Sequence, residues 1–160
     1  MRHIYIICIG KLKENYLVSA VSEYTKRLSP YCKLTIKELP AVKLPPSPSL
    51  AEVEAALKKE SKLILSALSP LAYTFALCIE GQQLSSETFS KNLFSVSLTG
   101  KSSATFIIGS SYGLDDSVKK RADFLLSLSK MTFPHQLARV MLLEQIYRSY
   151  KINTGGKYHK

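Results

Sequence analysis

Three apolar runs rich in β-branched residues, each closed by a glycine, confine this chain to a sheet covered on both faces. His3–Ile9 (HIYIICI) runs into Gly10, residues 73–79 are closed by Gly81, and residues 104–108 deliver Gly109. A strand that is apolar throughout, with no polar alternation, must be shielded on both sides, and helices are what supply the shield. The intervening segments have that character. Residues 16–28 repeat their apolar positions at helical spacing and stop before Pro30, and residues 49–68 form a longer helix with Lys58, Lys59 and Lys62 on one side. Further helices are expected from Ser85 or Ser86, either of which can serve as the cap, to about residue 97, over 114–121 and over 135–150. Lys33–Leu39 alternates and reads as a half-exposed strand, residues 124–129 read as a fifth strand, and the proline-rich stretch 40–48 reads as a plain connector. Strands alternating with helices predict an α/β domain with a mainly parallel sheet flanked by helices, one domain spanning residues 1–160.

In such a sheet ligands lie beyond the C-terminal strand ends. Three ends combine a buried strand with a small or kinked loop: Leu77-Cys78-Ile79-Glu80-Gly81, Gly109-Ser110-Ser111-Tyr112-Gly113, and the stretch from Leu128 to Pro134. The Gly-x-x-x-Gly loop is neither a GxGxxG turn nor a P-loop, so a nucleotide-phosphate cradle is disfavoured.

Charge narrows the partners. The net charge is +10, and the residues from Phe124 onward hold six Lys/Arg against the single acid Glu144. That balance predicts attraction to a polyanion, nucleic acid before anionic membrane. Lysine outnumbers arginine 17 to 5, which fits phosphate contact better than bidentate base reading. Cys8, Cys32 and Cys78 are odd in number with no CxxC pair, and are expected as small hydrophobes in a reducing compartment. His3, His135 and His159 are scattered, no HExxH or Gly-x-Ser-x-Gly occurs, and no metal or serine nucleophile is expected. No run approaches the ~20 apolar residues of a membrane span, so a cytoplasmic location is expected.

The last helix carries the remaining candidates. It is apolar nearly all round, and charges on a buried helix are costly unless they hold something. Glu144 and Arg148 are spaced to pair, and Arg139 lies on another side. His135, after Pro134, either completes the first turn or acts in the site. The tail Tyr158-His159-Lys160 follows Gly155-Gly156, so it is either an idle end or an arm that folds over a base, tyrosine stacking and lysine on phosphate.

These residues carry a resemblance. Residues 9–14 (IGKLKE), Glu23-Tyr24 with Lys26-Arg27-Leu28, Gly81 with Leu84-Ser85-Ser86-Glu87, the block LSKMTFPHQ at 128–136, Arg139-Val140, Glu144-Gln145, Tyr147-Arg148 and Tyr158-His159 together resemble the RlmH family of SPOUT methyltransferases, the 23S ribosomal RNA pseudouridine N3-methyltransferases. The resemblance implies a C-terminal trefoil knot, a homodimer, S-adenosyl-L-methionine as cofactor, and 23S rRNA on the assembled ribosome as substrate. By matching positions it implies a cofactor pocket of Leu77, Gly109, Leu128, Ser129, Lys130, Met131, Thr132 and Phe133. It further implies that Arg139 and Arg148 hold RNA or offset charge on N3, that Glu144 orients Arg148, and that Tyr158 and His159 position the base. The N3 proton would leave to a base such as His159 or to water. Two positions depart from the family pattern: Ser110 stands where a second glycine is usual, and Cys78 where an acid is common. The competing expectation is a basic ribosome-binding protein that keeps the fold without catalysis.

Overall fold

The computed structural model describes residues 3–156 and residue 158. In chain order the elements are β1 (His3–Ile9), α1 (Asn15–Leu28), β2 (Lys33–Leu39), α2 (Leu50–Ala67), β3 (Ala72–Gln83), α3 (Ser86–Ser95) with a 3-10 turn (Val96–Thr99), β4 (Ser103–Ile108), α4 (Asp116–Arg121), β5 (Phe124–Ser127) and α5 (His135–Asn153). The strands form one sheet in the order β2-β1-β4-β3-β5, every pair parallel.

Successive side chains of a strand point to opposite faces, and the two cores follow that period. Ile4, Ile6 and Cys8 of β1 join Phe106 of β4 and Phe75 of β3 beneath α1, α3 and α5, where Leu142, Leu143 and Ile146 close the layer. Ile7 and Ile9 face the other way, with Ile107, against Ile64 of α2 and Val118 of α4. The result is three layers, helices on both faces of a parallel sheet, as the glycine-closed apolar runs require.

Helix starts follow capping chemistry. Ser49 and Glu52 form a reciprocal box, with Ser49 N donating to Glu52 Oε2 at 2.7 Å and Glu52 N donating to Ser49 Oγ at 3.3 Å. Ser85, not Ser86, caps α3 by accepting from Thr88 N at 3.2 Å. Asp115 caps α4 through Ser117 N at 2.9 Å, so this helix begins two residues later than its pattern suggests and leaves Leu114 buried in the loop.

The ends of β3 and β5 differ from expectation. Strand β3 does not close at Gly81 but continues to Gln83, and its register against β5 shifts between Leu77 and Gln82. Gly81 permits this. A Cβ there would lie 2.7 Å from the Leu126 carbonyl carbon and 2.8 Å from the Leu125 backbone, so only glycine lets β5 come this close. Strand β5 in turn ends at Ser127, two residues early, and the chain leaves the sheet where the ladder is already irregular. Helix α5 extends to Asn153. Cys8 and Cys32 are buried as expected, whereas Cys78 is only half-buried because it sits in the bulged segment.

Candidate active site

The C-terminal ends of β3, β4 and β5 open on a cleft of about 670 Å³. Its apolar walls include Leu77, Ile108, Leu114, Leu126 and Phe133, and its rim carries Glu80 and Lys119 as an ion pair. The pairing holds the Glu80 carboxyl below the usual range and lifts Lys119 above its own, so both stay charged at neutral pH. The volume and the apolar lining with a few polar groups are those of a small-molecule site.

The floor is backbone. Gly109 is buried, and the loop after it folds back so tightly that Gly113 N donates to Ser110 O at 2.9 Å. A Cβ on Gly109 would sit 2.1 Å from the Gly113 carbonyl oxygen. Ser110 adopts an ordinary backbone: among the described residues only glycines have positive φ. Serine therefore needs no left-handed backbone here, and Ser110→Gly is expected to lower stability by about 0.5 kcal/mol through a looser unfolded chain. Cofactor affinity is expected to stay within about threefold; a larger gain by isothermal titration would show that the side chain obstructs the cleft. Cys78 lines the same cleft, its thiol pKa raised by burial and then by Glu80, so it stays protonated at neutral pH.

The opposite wall is the segment after β5. It is fastened by local bonds, Ser127 Oγ donating to the Ser129 carbonyl at 3.0 Å and Met131 N donating to Ser129 Oγ at 3.0 Å. Of the positions expected to hold a cofactor, Leu77, Gly109, Leu128, Ser129, Met131, Thr132 and Phe133 line this cleft. Lys130 is exposed and is not among the lining residues. Glu80 and Tyr112, within the strand-end loops read from the sequence, also line the cleft, as does Lys119, which lies outside those loops. The Lys119–Glu80 pair joins two distant segments, and spacing alone carries no sign of it.

The expected catalytic residues fall into two groups. Glu144, Arg148 and Tyr158 form one cluster. Arg148 donates to Glu144 Oε1 from Nε at 3.0 Å and from Nη2 at 2.8 Å, the Tyr158 hydroxyl donates to the same oxygen at 3.3 Å, and the guanidinium lies 4.9 Å from the Tyr158 ring centroid. The carboxylate raises the Arg148 pKa further, and Gln145 Nε2 holds the second Glu144 oxygen at 2.6 Å. Glu144 borders a second cleft of about 450 Å³, which shares Leu126, Ser127 and Leu128 with the first. The end of β5 is thus a partition, with the first cleft on one side and the second, bordered by Glu144, on the other.

Arg139 lies apart from both. Expected as an RNA contact, it is 1% exposed, with Nη1 donating to Glu38 Oε1 at 2.5 Å and Nη2 to the Gly10 carbonyl at 3.1 Å. A guanidinium so enclosed ties α5 to the ends of β1 and β2. His135 begins α5 without capping it by a side-chain bond; its Nδ1 is 3.5 Å from Ser111 Oγ, and burial followed by the nearby Arg139 and Lys13 charges keeps its pKa low and the ring neutral. His159 lies outside the described residues. Among the described residues no group of three or more His, Cys, Asp or Glu could hold a metal ion, and no helix is long and apolar enough to cross a membrane.

A parallel sheet that ends three strands on a backbone-floored cleft belongs to the open α/β proteins that bind ligands at their carboxyl edge. The chain belongs to the SPOUT methyltransferase family: the family described as "Predicted SPOUT methyltransferase" matches residues 2–159. It is 50% identical over 158 residues, 99% of each chain, to the ribosomal RNA large subunit methyltransferase H of Clostridioides difficile strain 630, and equally to ribosomal RNA large subunit methyltransferase H 1 of Clostridium perfringens strain SM101. Among solved structures, a probable methylase family protein from Haemophilus influenzae Rd KW20 superimposes with a TM-score of 0.56 at 11% identity, over 98% of this chain and 70% of that one. A probable methyltransferase from Bordetella pertussis Tohama I gives 0.55 at 14% identity, over 92% and 93%. These two likenesses are of fold.

Proposed function

We propose that the chain, as a single domain over residues 1–160, methylates N3 of a pseudouridine in 23S ribosomal RNA, with S-adenosylmethionine as donor and the assembled ribosome as substrate. The observation that carries this reading is the first cleft, at the strand ends where the resemblance puts a cofactor, in a chain half identical to proteins named as ribosomal RNA methyltransferases. The donor supplies an electrophilic methyl on its sulfonium. Its apolar portions suit Leu77, Leu126 and Phe133, and its polar edges suit the backbone at Gly109 and between Leu128 and Thr132. A trefoil knot formed by the segment after β5 fits this arrangement.

The chain's own contribution is alignment and charge. Holding N3 in line with the methyl accounts for most of the acceleration. Arg148, fixed by Glu144, is a preset guanidinium for the RNA backbone or for negative charge on N3 as its imide proton leaves to His159 or to water. Tyr158 keeps that guanidinium in place and stands ready to stack on a base. Within one chain this cluster is across the partition from the donor cleft. A homodimer, in which a second copy brings its cluster to the first copy's cleft, resolves the separation and covers the half-buried Val140 and Met141. Nothing in the scheme needs a metal or a membrane, and the reaction belongs in the cytoplasm.

The test is methyl transfer from labelled S-adenosylmethionine to intact ribosomes and to free subunits, both from a strain lacking this enzyme, with the modified nucleoside identified by mass. Label on ribosomes as N3-methylpseudouridine is expected. Donor binding without label on any ribosomal RNA would move the substrate to another RNA. Ribosome association with neither binding nor label would replace catalysis by binding alone.

A further inference from the structure

A third cleft, of about 680 Å³, opens at the ends of β1 and β2 and is bounded outside by the proline-rich segment that follows β2. It shares Ser110, Ser111, Tyr112 and His135 with the first cleft, so the two are separated by one wall. Its charge is organised. Both acids within it are committed to the protein: Glu38 to buried Arg139, and Glu60, itself 3% exposed, to Val42 N at 3.0 Å, which anchors the outer segment to α2. Lys11, Lys13 and Lys43, by contrast, are exposed at its edge. The β1–α1 turn that bears Lys11 and Lys13 is fixed where it stands: Gly10 N donates to the Leu39 carbonyl at 2.8 Å and Lys13 N to Gln136 Oε1 at 3.0 Å. On the dividing wall Tyr112 is 48% exposed, an aromatic ring offered to solvent where the two clefts meet.

We propose that this basic cleft holds the single-stranded RNA adjoining the target nucleotide, with Lys11, Lys13 and Lys43 on its phosphates and Tyr112 stacked on the base at the dividing wall. The inference rests on the reading of the chain as an RNA methyltransferase and adds to it where the strand runs. A fixed turn of lysines beside an open aromatic face is the combination that binds a single strand without reading its sequence. An acidic peptide would use the lysines and leave the tyrosine idle. The shared wall supplies the geometry the reaction needs, since a strand lying in the third cleft can turn one base over Tyr112 into the first.

The test measures binding of a fluorescein-labelled oligouridylate to the full chain by anisotropy across a salt series, alongside methyl transfer to ribosomes. Each phosphate contact with a single strand adds about 0.7 to the slope of log affinity against log salt, so K11A/K13A is expected to flatten it by about 1.4 and weaken binding at least tenfold. Donor affinity should be unchanged in that variant. Tyr112→Ala is expected to weaken binding about tenfold with the slope kept, because stacking displaces no counterions. K59A/K62A removes the same charge from exposed positions of α2 outside the cleft and is expected to cost less than about twofold. Equal losses in K11A/K13A and K59A/K62A would overturn the proposal in favour of diffuse charge attraction, and displacement of the RNA by polyglutamate at equal charge would overturn it in favour of an acidic protein partner. Ribosomes methylated normally by K11A/K13A would remove the basic cleft alone. A wild-type chain that neither binds RNA nor labels ribosomes would remove the methyltransferase reading with it.

Discussion

Gly109→Ala is expected to lower stability by about 2 kcal/mol or more and to reduce donor affinity at least tenfold. The added methyl would lie 2.1 Å from the Gly113 carbonyl oxygen, 2.6 Å from its carbon and 3.0 Å from Leu114 Cδ2. None of the backbone atoms can swing aside as a side-chain tip can, and Leu114 is buried. The loop from Ser110 to Gly113 must lift as a unit, and it forms one wall of the first cleft. Gly113→Ala is the informative partner. There the methyl meets nothing within 4 Å, but φ is +86°, so the cost is backbone strain of about 1 to 2 kcal/mol with no collision. Denaturant titration with calorimetric measurement of S-adenosylmethionine binding separates the two. Donor affinity unchanged in Gly109→Ala would mean that this loop does not shape the donor site.

Arg139→Met is expected to cost about 2 to 3 kcal/mol, less than the 3 to 5 typical when one partner of a fully buried pair is lost, because the Glu38 side chain keeps 31% of its surface exposed. In a chain of this size the corresponding fall in Tm is roughly 6 to 10 °C. The sign comes from what is left behind: methionine fills much of the volume, but Glu38 loses its cation and the Gly10 carbonyl its donor. Adding Glu38→Gln should restore at least half of the loss, since the stranded charge is then gone. Thermal unfolding of the single and double variants checks this. A double variant no more stable than Arg139→Met would show that the arginine acts through packing alone.

Much of the fold was legible because its signals are local. The glycine-closed apolar runs gave β1 and β4 nearly to the residue, since a strand covered on both faces leaves no polar position to blur its limits. The extension of β3 past Gly81 was not legible, because a bulge is settled by the partner strand, and the glycine that permits it reads as a stop when taken alone. In the site, the i,i+4 spacing of Glu144 and Arg148 identified a real ion pair. Arg139 illustrates the limit: its partner Glu38 is 101 residues away, and only the fold could show which acid this buried charge is paired with. The pairing of Lys119 with Glu80, from different elements, escaped for the same reason.

Strand β5 pairs with β3 alone, at the margin of the sheet, and its attachment is reinforced by Thr74 N donating to the Asp123 carboxylate at 2.7 Å across 49 residues. A strand of four residues held by a single neighbour has few contacts to retain it, which puts it at the low-stability end of the sheet. The four-residue edge strand should therefore be among the first pieces to undock, and the first cleft, which it helps to wall, opens with it. A ligand that occupies only the finished cleft then acts as a brake on unfolding: saturating S-adenosylmethionine should slow the undocking of β5 and raise amide protection there before it changes protection in β1 or β4.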